Sequence, residues 1–153
     1  MRKILLPPVM LLLCIAGIVL SNLYMPEGHA WKAAWISGAA SKVGYLIIII
    51  GILLPAWGAK IFKEVETNIL PYNPPDKMVT KGPFGFTRNP MYLGMLLGLL
   101  GIAWVYGTYV SLVFPPLYFA VANWWYIPFE EGKMAEAFGG AFTDYKMKVR
   151  RWI

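Results

Sequence analysis

The sequence predicts an all-α, polytopic membrane protein of about four transmembrane helices. The last two form a C-terminal helical hairpin, followed by an interfacial amphipathic tail helix. Three observations predict it. Of the 153 residues, 58% are hydrophobic and only 14% are charged, against roughly 25% charged in soluble domains. The apolar residues stand in long runs, four of which approach the roughly 20 residues that a bilayer span requires. Backbone groups in hydrocarbon must be satisfied internally, and no run alternates as a barrel strand would. The length predicts a single membrane domain over residues 1–153, with two packing spans in 1–62 and a loop, hairpin and tail of different texture in 63–153.

The first span runs from Ile4 to about Tyr24 without a charge. Arg2-Lys3 before an apolar run also describes a signal peptide, with Gly28-His29-Ala30 as a poor cleavage context, but a retained span is favoured because the hairpin needs neighbours. Pro7-Pro8 fit its first turn. The second span is centred on Tyr45–Leu54 and extends to Trp57 or Phe62. Between these two spans, Trp31 and Trp35 suit an interface belt. Leu70-Pro71-Tyr72-Asn73-Pro74-Pro75-Asp76 carries too many prolines for a helix interior and reads as a connector. The third span starts near Met91 and runs to about Tyr106, and the fourth covers about Tyr109 to Ile127. The turn at Gly107-Thr108 is so short that these two must be antiparallel. Gly94, Gly98 and Gly101 at helical spacing predict close helix packing, and the same stripe would serve a contact between copies. In the fourth span Pro115-Pro116 and Pro128 predict a kink, and Asn123 needs a buried partner.

With four spans, every basic residue except Lys32 and Lys42 falls on the side of the two termini. The positive-inside rule makes that side cytoplasmic. The net charge of +6 is thereby explained as a topology signal, and nucleic acid is not a predicted partner. One cysteine in an apolar span excludes an intrachain disulfide, and one histidine, His29, leaves little to hold a metal.

From Glu64 onward charges, prolines and glycines crowd against apolar segments. Pro90 fits the first turn of the third span, so Arg88 and Asn89 stand at its N-terminal mouth, where free N–H groups favour an anion. Glu130-Glu131 follow Pro128 at the same end of the hairpin. Two adjacent carboxylates there are explained either by the helix dipole as the chain leaves the membrane or by a ligand. In the tail, Phe142, Tyr145, Val149 and Trp152 share one helical face away from Lys146, Lys148, Arg150 and Arg151, as an interfacial helix or a lid would require.

At these residues the chain resembles a known family. Lys81-Gly82-Pro83-Phe84-Gly85-Phe86-Thr87-Arg88-Asn89-Pro90-Met91-Tyr92-Leu93-Gly94 is similar to the loop ending in Arg-His-Pro-x-Tyr-x-Gly of the isoprenylcysteine carboxyl methyltransferases, relatives of the phospholipid N-methyltransferases. Glu130-Glu131, Met134, Phe138-Gly139, Phe142 and Tyr145 follow the family's second pattern, and the likeness covers about Val79 to Arg151. The resemblance implies S-adenosyl-L-methionine as methyl donor and a lipidic acceptor arriving from the bilayer. It implies a catalytic set of Arg88, Glu130 and Glu131. The implied cofactor-binding residues are Lys81, Gly82, Pro83, Phe84, Arg88, Asn89, Pro90, Tyr92, Glu130, Glu131 and Tyr145. Arg88 and loop amides would take the donor carboxylate, and Glu130 or Glu131 its ammonium. Phe84, Phe86, Tyr92 and Tyr145 would line the adenine or sulfonium pocket.

Two positions depart from the pattern. The family histidine is Asn89, which cannot shuttle a proton near neutral pH, and the first tail tyrosine is Phe142. A carboxylate acceptor would need no base, whereas an amine acceptor would call on a glutamate. The leading expectation is therefore a membrane methyltransferase of prenylated or lipid-like acceptors, with phospholipid N-methylation as the alternative. An NADPH-dependent membrane reductase and a non-catalytic scaffold are the other classes weighed.

Overall fold

The computed structural model describes residues 6–24, 39–66 and 77–153. The Arg2-Lys3 pair, Gly28-His29-Ala30, Trp31, Lys32, Trp35 and the Leu70–Asp76 connector lie outside the described residues. Among the described residues all regular structure is helical. Helix α1 is Pro7–Tyr24, α2 is Ala39–Glu64 and α3 is Pro90–Tyr106. A short α4, Phe114–Val121, passes through a π turn at Ala122–Tyr126 into α5, Ile127–Lys148. Turns of 3₁₀ helix at Gly82–Gly85 and Val110–Val113 precede α3 and α4.

Helices α1 and α2 and the continuous run Val110–Lys148 are long and apolar enough to cross a membrane, and α3 is a shorter apolar helix. The chain is a multi-pass membrane protein. The last run has 39 residues, which as one straight helix would measure about 58 Å, nearly twice a hydrocarbon core of about 30 Å. Only its apolar part, ending at Ile127, can be a span. Glu130 stands past its end.

The hairpin forms because Gly107 takes the left-handed conformation (φ 66°, ψ 33°) that closes α3. Just past it Thr108 Oγ1 accepts the Ser111 N–H at 3.2 Å. Asn22 Nδ2 of α1 donates to Ser111 Oγ at 3.1 Å, pinning α1 to the turn. Below, Cys14 and Ile18 of α1 pack with Leu99, Ala103, Tyr118 and Ala122 to make the core.

Helices α2 and α3 meet along a glycine seam. A Cβ built on Gly51 would lie 2.5 Å from the Gly98 nitrogen, and one on Gly101 would lie 2.8 Å from the Gly44 carbonyl oxygen. The Pro55 ring of α2 fills the space left by the missing side chain of Gly94. The predicted close packing is thus made within the chain. Of the stripe Gly94, Gly98 and Gly101, α2 covers the bare faces of the first and last, and the face of Gly98 is open.

The predicted kink in the fourth span is the π turn. Pro128 has no N–H to give to the preceding turn, and the helix widens just before it. A second break comes at Gly139 (φ 50°, ψ −120°), a conformation open essentially to glycine. It turns the end of α5 so that Phe142 and Tyr145 are buried against protein. Here the tail differs from the sequence expectation. The helix stops at Lys148, and Val149 is extended (φ −123°, ψ 130°). Val149 and Trp152 therefore do not continue the apolar helical face. Residues 149–152 instead form a strap that returns to the hairpin, where Trp152 Nε1 donates to Asn123 Oδ1 at 3.1 Å. This supplies the partner that Asn123 requires.

Candidate active site

The site grows from the loop before α3. Gly82 (φ 61°) starts a 3₁₀ turn that drives Phe84 inward, edge-on to Phe62 of α2 with ring centroids 5.2 Å apart. The Tyr145 hydroxyl donates to the Phe84 carbonyl at 2.6 Å, tying the end of α5 to this loop. The strap adds further ties. Thr87 Oγ1 and Asn89 Nδ2 donate to the Arg151 carbonyl at 3.2 and 2.9 Å, and the Arg88 N–H donates to the Arg150 carbonyl at 3.0 Å. Asn89, at the position of the pattern's histidine, is thus a buried stitch to the C-terminus.

Arg88 is the hub. Its Nη1 donates to the carbonyls of Lys146 and Val149, and its Nη2 to Glu131 Oε1 at 2.8 Å. Arg151 reaches the same carboxylate from the strap, with Nη2 2.6 Å from Oε2 and Nε 3.3 Å from Oε1. Both Glu131 oxygens are therefore occupied. Burial would raise the Glu131 carboxyl, but the hydrogen bonds and charges of Arg151 and Arg88 outweigh it and hold the group below its ordinary value. Two guanidinium groups on one carboxylate leave one positive charge in excess. Arg88 Nε is buried and has no hydrogen-bond partner.

Glu130 is different. It accepts the Tyr92 hydroxyl at 2.6 Å, and Tyr92 is itself stacked on Tyr126 at 6.2 Å. Burial pushes its carboxyl up to about 7, with the Tyr92 hydrogen bond and the Lys133 charge opposing. The two neighbours thus divide the work, Glu131 as a permanently charged tie and Glu130 as a carboxyl poised near neutrality.

A cavity of about 290 Å³ lies against both, bounded by the start of α1, Phe62, the loop, the mouth of α3 and α5. Its walls are mostly apolar with a few convergent charges, the usual make-up of a small-molecule site. Of the residues the sequence singles out, Phe84, Arg88, Asn89, Pro90, Tyr92, Glu130, Glu131 and Tyr145 line it. Lys81, Gly82, Pro83 and Phe86 do not. Lys81 and Phe86 are exposed, and Gly82 and Pro83 shape the turn that buries Phe84. Phe62, Val79, Met95 and the first residues of α1 are cavity walls that the sequence does not mark. Arg151 was legible only as one of several tail cations.

Similarity to known proteins follows this layout. The sequence matches the phospholipid methyltransferase family over residues 40–141, from α2 through the loop and hairpin to just past the Gly139 kink. The chain belongs to the phospholipid methyltransferase family. It is 28% identical over 117 residues to probable protein-S-isoprenylcysteine O-methyltransferases of Oryza sativa subsp. indica and subsp. japonica, covering 71% of this chain and 58% of each relative. It is also 29% identical over 89 residues to the cobalt-zinc-cadmium resistance protein CzcN of Cupriavidus metallidurans, covering 58% of this chain and 37% of that protein. The chain thus spans 58% of the length of the rice relatives. Phe142, Tyr145 and the strap lie beyond the family match, so their place at the site rests on the geometry of this chain.

Proposed function

We propose that this chain is an integral-membrane methyltransferase that uses S-adenosyl-L-methionine and acts on a lipid-like or prenylated acceptor. The observation that carries the proposal is the charge layout on one apolar cavity, where the over-compensated Arg88–Glu131–Arg151 cluster stands beside the lightly bonded carboxyl of Glu130. The donor's amino-acid head has one anionic and one cationic group, and this pair of neighbours complements it. When bound, the donor supplies a methyl group already activated on a sulfonium.

The chain's own residues do the rest. Arg88, with the excess positive charge of its cluster, draws the donor carboxylate, and Glu130 pairs with the ammonium. Glu131 is consumed in holding the two arginines and makes no ligand contact. Phe84, Phe142 and Tyr145 offer aromatic walls to the adenine or the sulfonium. Enclosure between the kinked end of α5 and the loop excludes water and aligns acceptor with donor, where most of such a rate arises. A carboxylate acceptor, as the names of the rice relatives suggest, needs no base. A phospholipid amine, suggested by the family description, would need a base, and Glu130 could take its proton only in place of pairing with the donor ammonium. We place the site and both termini in the cytoplasm, on the positive-inside argument.

Isothermal titration of the purified protein in detergent tests donor use. Saturable binding of S-adenosylhomocysteine is expected, with no competition from NADPH. Saturable NADPH binding without binding of either adenosyl compound would contradict the proposal and favour a reductase.

A further inference from the structure

We infer that Arg151, on the C-terminal strap, is a positioning residue for the donor site. It locks Glu131 to the strap and thereby holds the end of α5, with Phe142 and Tyr145, over the cavity. The inference rests on the donor-binding proposal above and deepens it.

Three observations carry it. Arg151 is bidentate on Glu131 and also donates from Nη1 to the Asn123 carbonyl and Oδ1 at 3.3 and 3.4 Å, beside the π turn. Its own carbonyl accepts from Thr87 and Asn89 at the mouth of α3. One residue thus bridges the three elements that converge on the cavity: the loop before α3, the π turn and the first turn of α5. The backbone break at Gly139 separates the end of α5 from the rest of that helix. The returning segment is held instead by contacts at its far end, namely the Tyr145–Phe84 bond, the Arg88 bonds to the carbonyls of Lys146 and Val149, and the Arg151 cluster. Arg88 cannot supply the whole lock, because its Nη2 reaches only one oxygen of Glu131. Arg151 takes the other and completes the fork, which a lysine could not do.

Arg151 lines no part of the cavity. Its effect on the donor must therefore pass through Glu131, Arg88 and the two aromatic residues. Closing the strap orders a wall before the donor arrives, so losing it should weaken binding rather than remove a contact.

The experiment compares wild type, Arg151→Gln, Arg151→Lys, Glu131→Gln and the double variant Arg151→Gln/Glu131→Gln as full-length proteins in detergent. Two quantities are read: the Kd for S-adenosylhomocysteine, and hydrogen-exchange protection of amides 141–148 without ligand, with those of α3 as internal reference. Arg151→Gln is expected to raise Kd at least about tenfold and to lose protection at 141–148 while α3 keeps its own. Arg151→Lys should fall between it and wild type. The double variant should be little worse than Glu131→Gln alone, since that substitution already breaks the Arg151 link.

An unchanged Kd in Arg151→Gln would overturn the inference. So would a raised Kd with protection intact, which would make Arg151 a direct ligand contact. Should Arg151→Gln fail to fold, Arg151→Lys and Glu131→Gln carry the same comparison. Absence of binding by the wild type would overturn the donor proposal instead, a result separable from the ligand-free protection that reports on the strap.

Discussion

Glu130→Gln is expected to lower methyl transfer at least about 100-fold, the lower end of what a positioned acid–base or charge-pairing group contributes, with membrane insertion and folding retained. The glutamine carbonyl can still accept the Tyr92 hydroxyl, so the local hydrogen bond survives while the charge is lost. The direction with pH follows from the raised carboxyl. Burial pushes Glu130 up to about 7, so its ionised, ammonium-pairing form gains population as pH rises through that value. Donor affinity should therefore strengthen from about pH 6 to about pH 8 and level off above, with proton release on binding in the acidic part of that window. Both the slope and the proton release that belong to Glu130 should vanish in Glu130→Gln. Initial rates with labelled donor, together with titrations in buffers of different ionisation enthalpy, measure both. Wild-type activity in Glu130→Gln would place the chemistry elsewhere.

Arg88→Ala should be as damaging to transfer, but for a second reason as well. A place at the mouth of the third span, near solvent, would by itself predict that removing Arg88 leaves the fold alone. The structure corrects this. The guanidinium is largely buried, bonded to Glu131 and to the carbonyls of Lys146 and Val149. Charged hydrogen bonds of this kind are each worth about 1.5–3 kcal/mol, and their loss strands carbonyls at the end of α5. Arg88→Ala is therefore expected to abolish transfer and to release the C-terminal segment together, seen as early proteolysis after Gly139 in an otherwise inserted protein. Arg88→Lys should recover part of the protection but little of the transfer, because an ammonium cannot fork between Glu131 and two carbonyls. Full activity in Arg88→Ala would remove the cavity from consideration as the donor site.

These two residues show what was legible in the sequence. The spans read directly from apolar runs, and the hairpin from Gly107-Thr108, because one left-handed residue suffices to reverse a helix. The glycine seam was legible as packing, although the sequence could not say that Gly51 of α2, rather than a second copy, would meet it. The convergence of Arg88 with the Glu130-Glu131 pair was legible because an antiparallel hairpin must bring its open ends together. The pairing inside that cluster was not. It depends on a strap that reverses after Lys148 and on the positive-φ break at Gly139, and neither leaves a periodic trace. The same reversal hides Arg151, which by charge alone is indistinguishable from Lys146, Lys148 and Arg150. Gly82 and Pro83 also shape the turn that buries Phe84, a structural part that their place in a motif does not reveal.

On the proposed function, donor and lipidic acceptor meet in this cavity. The most direct measurement incubates the purified protein in membranes with methyl-labelled S-adenosyl-L-methionine and follows the label by untargeted mass spectrometry. Label is expected in a lipid-soluble or prenylated product, dependent on time and enzyme, and Glu130→Gln is expected to lose it. Donor binding without label in any membrane-derived product, or labelling that persists unchanged in both Glu130→Gln and Arg88→Ala, would contradict the proposed function.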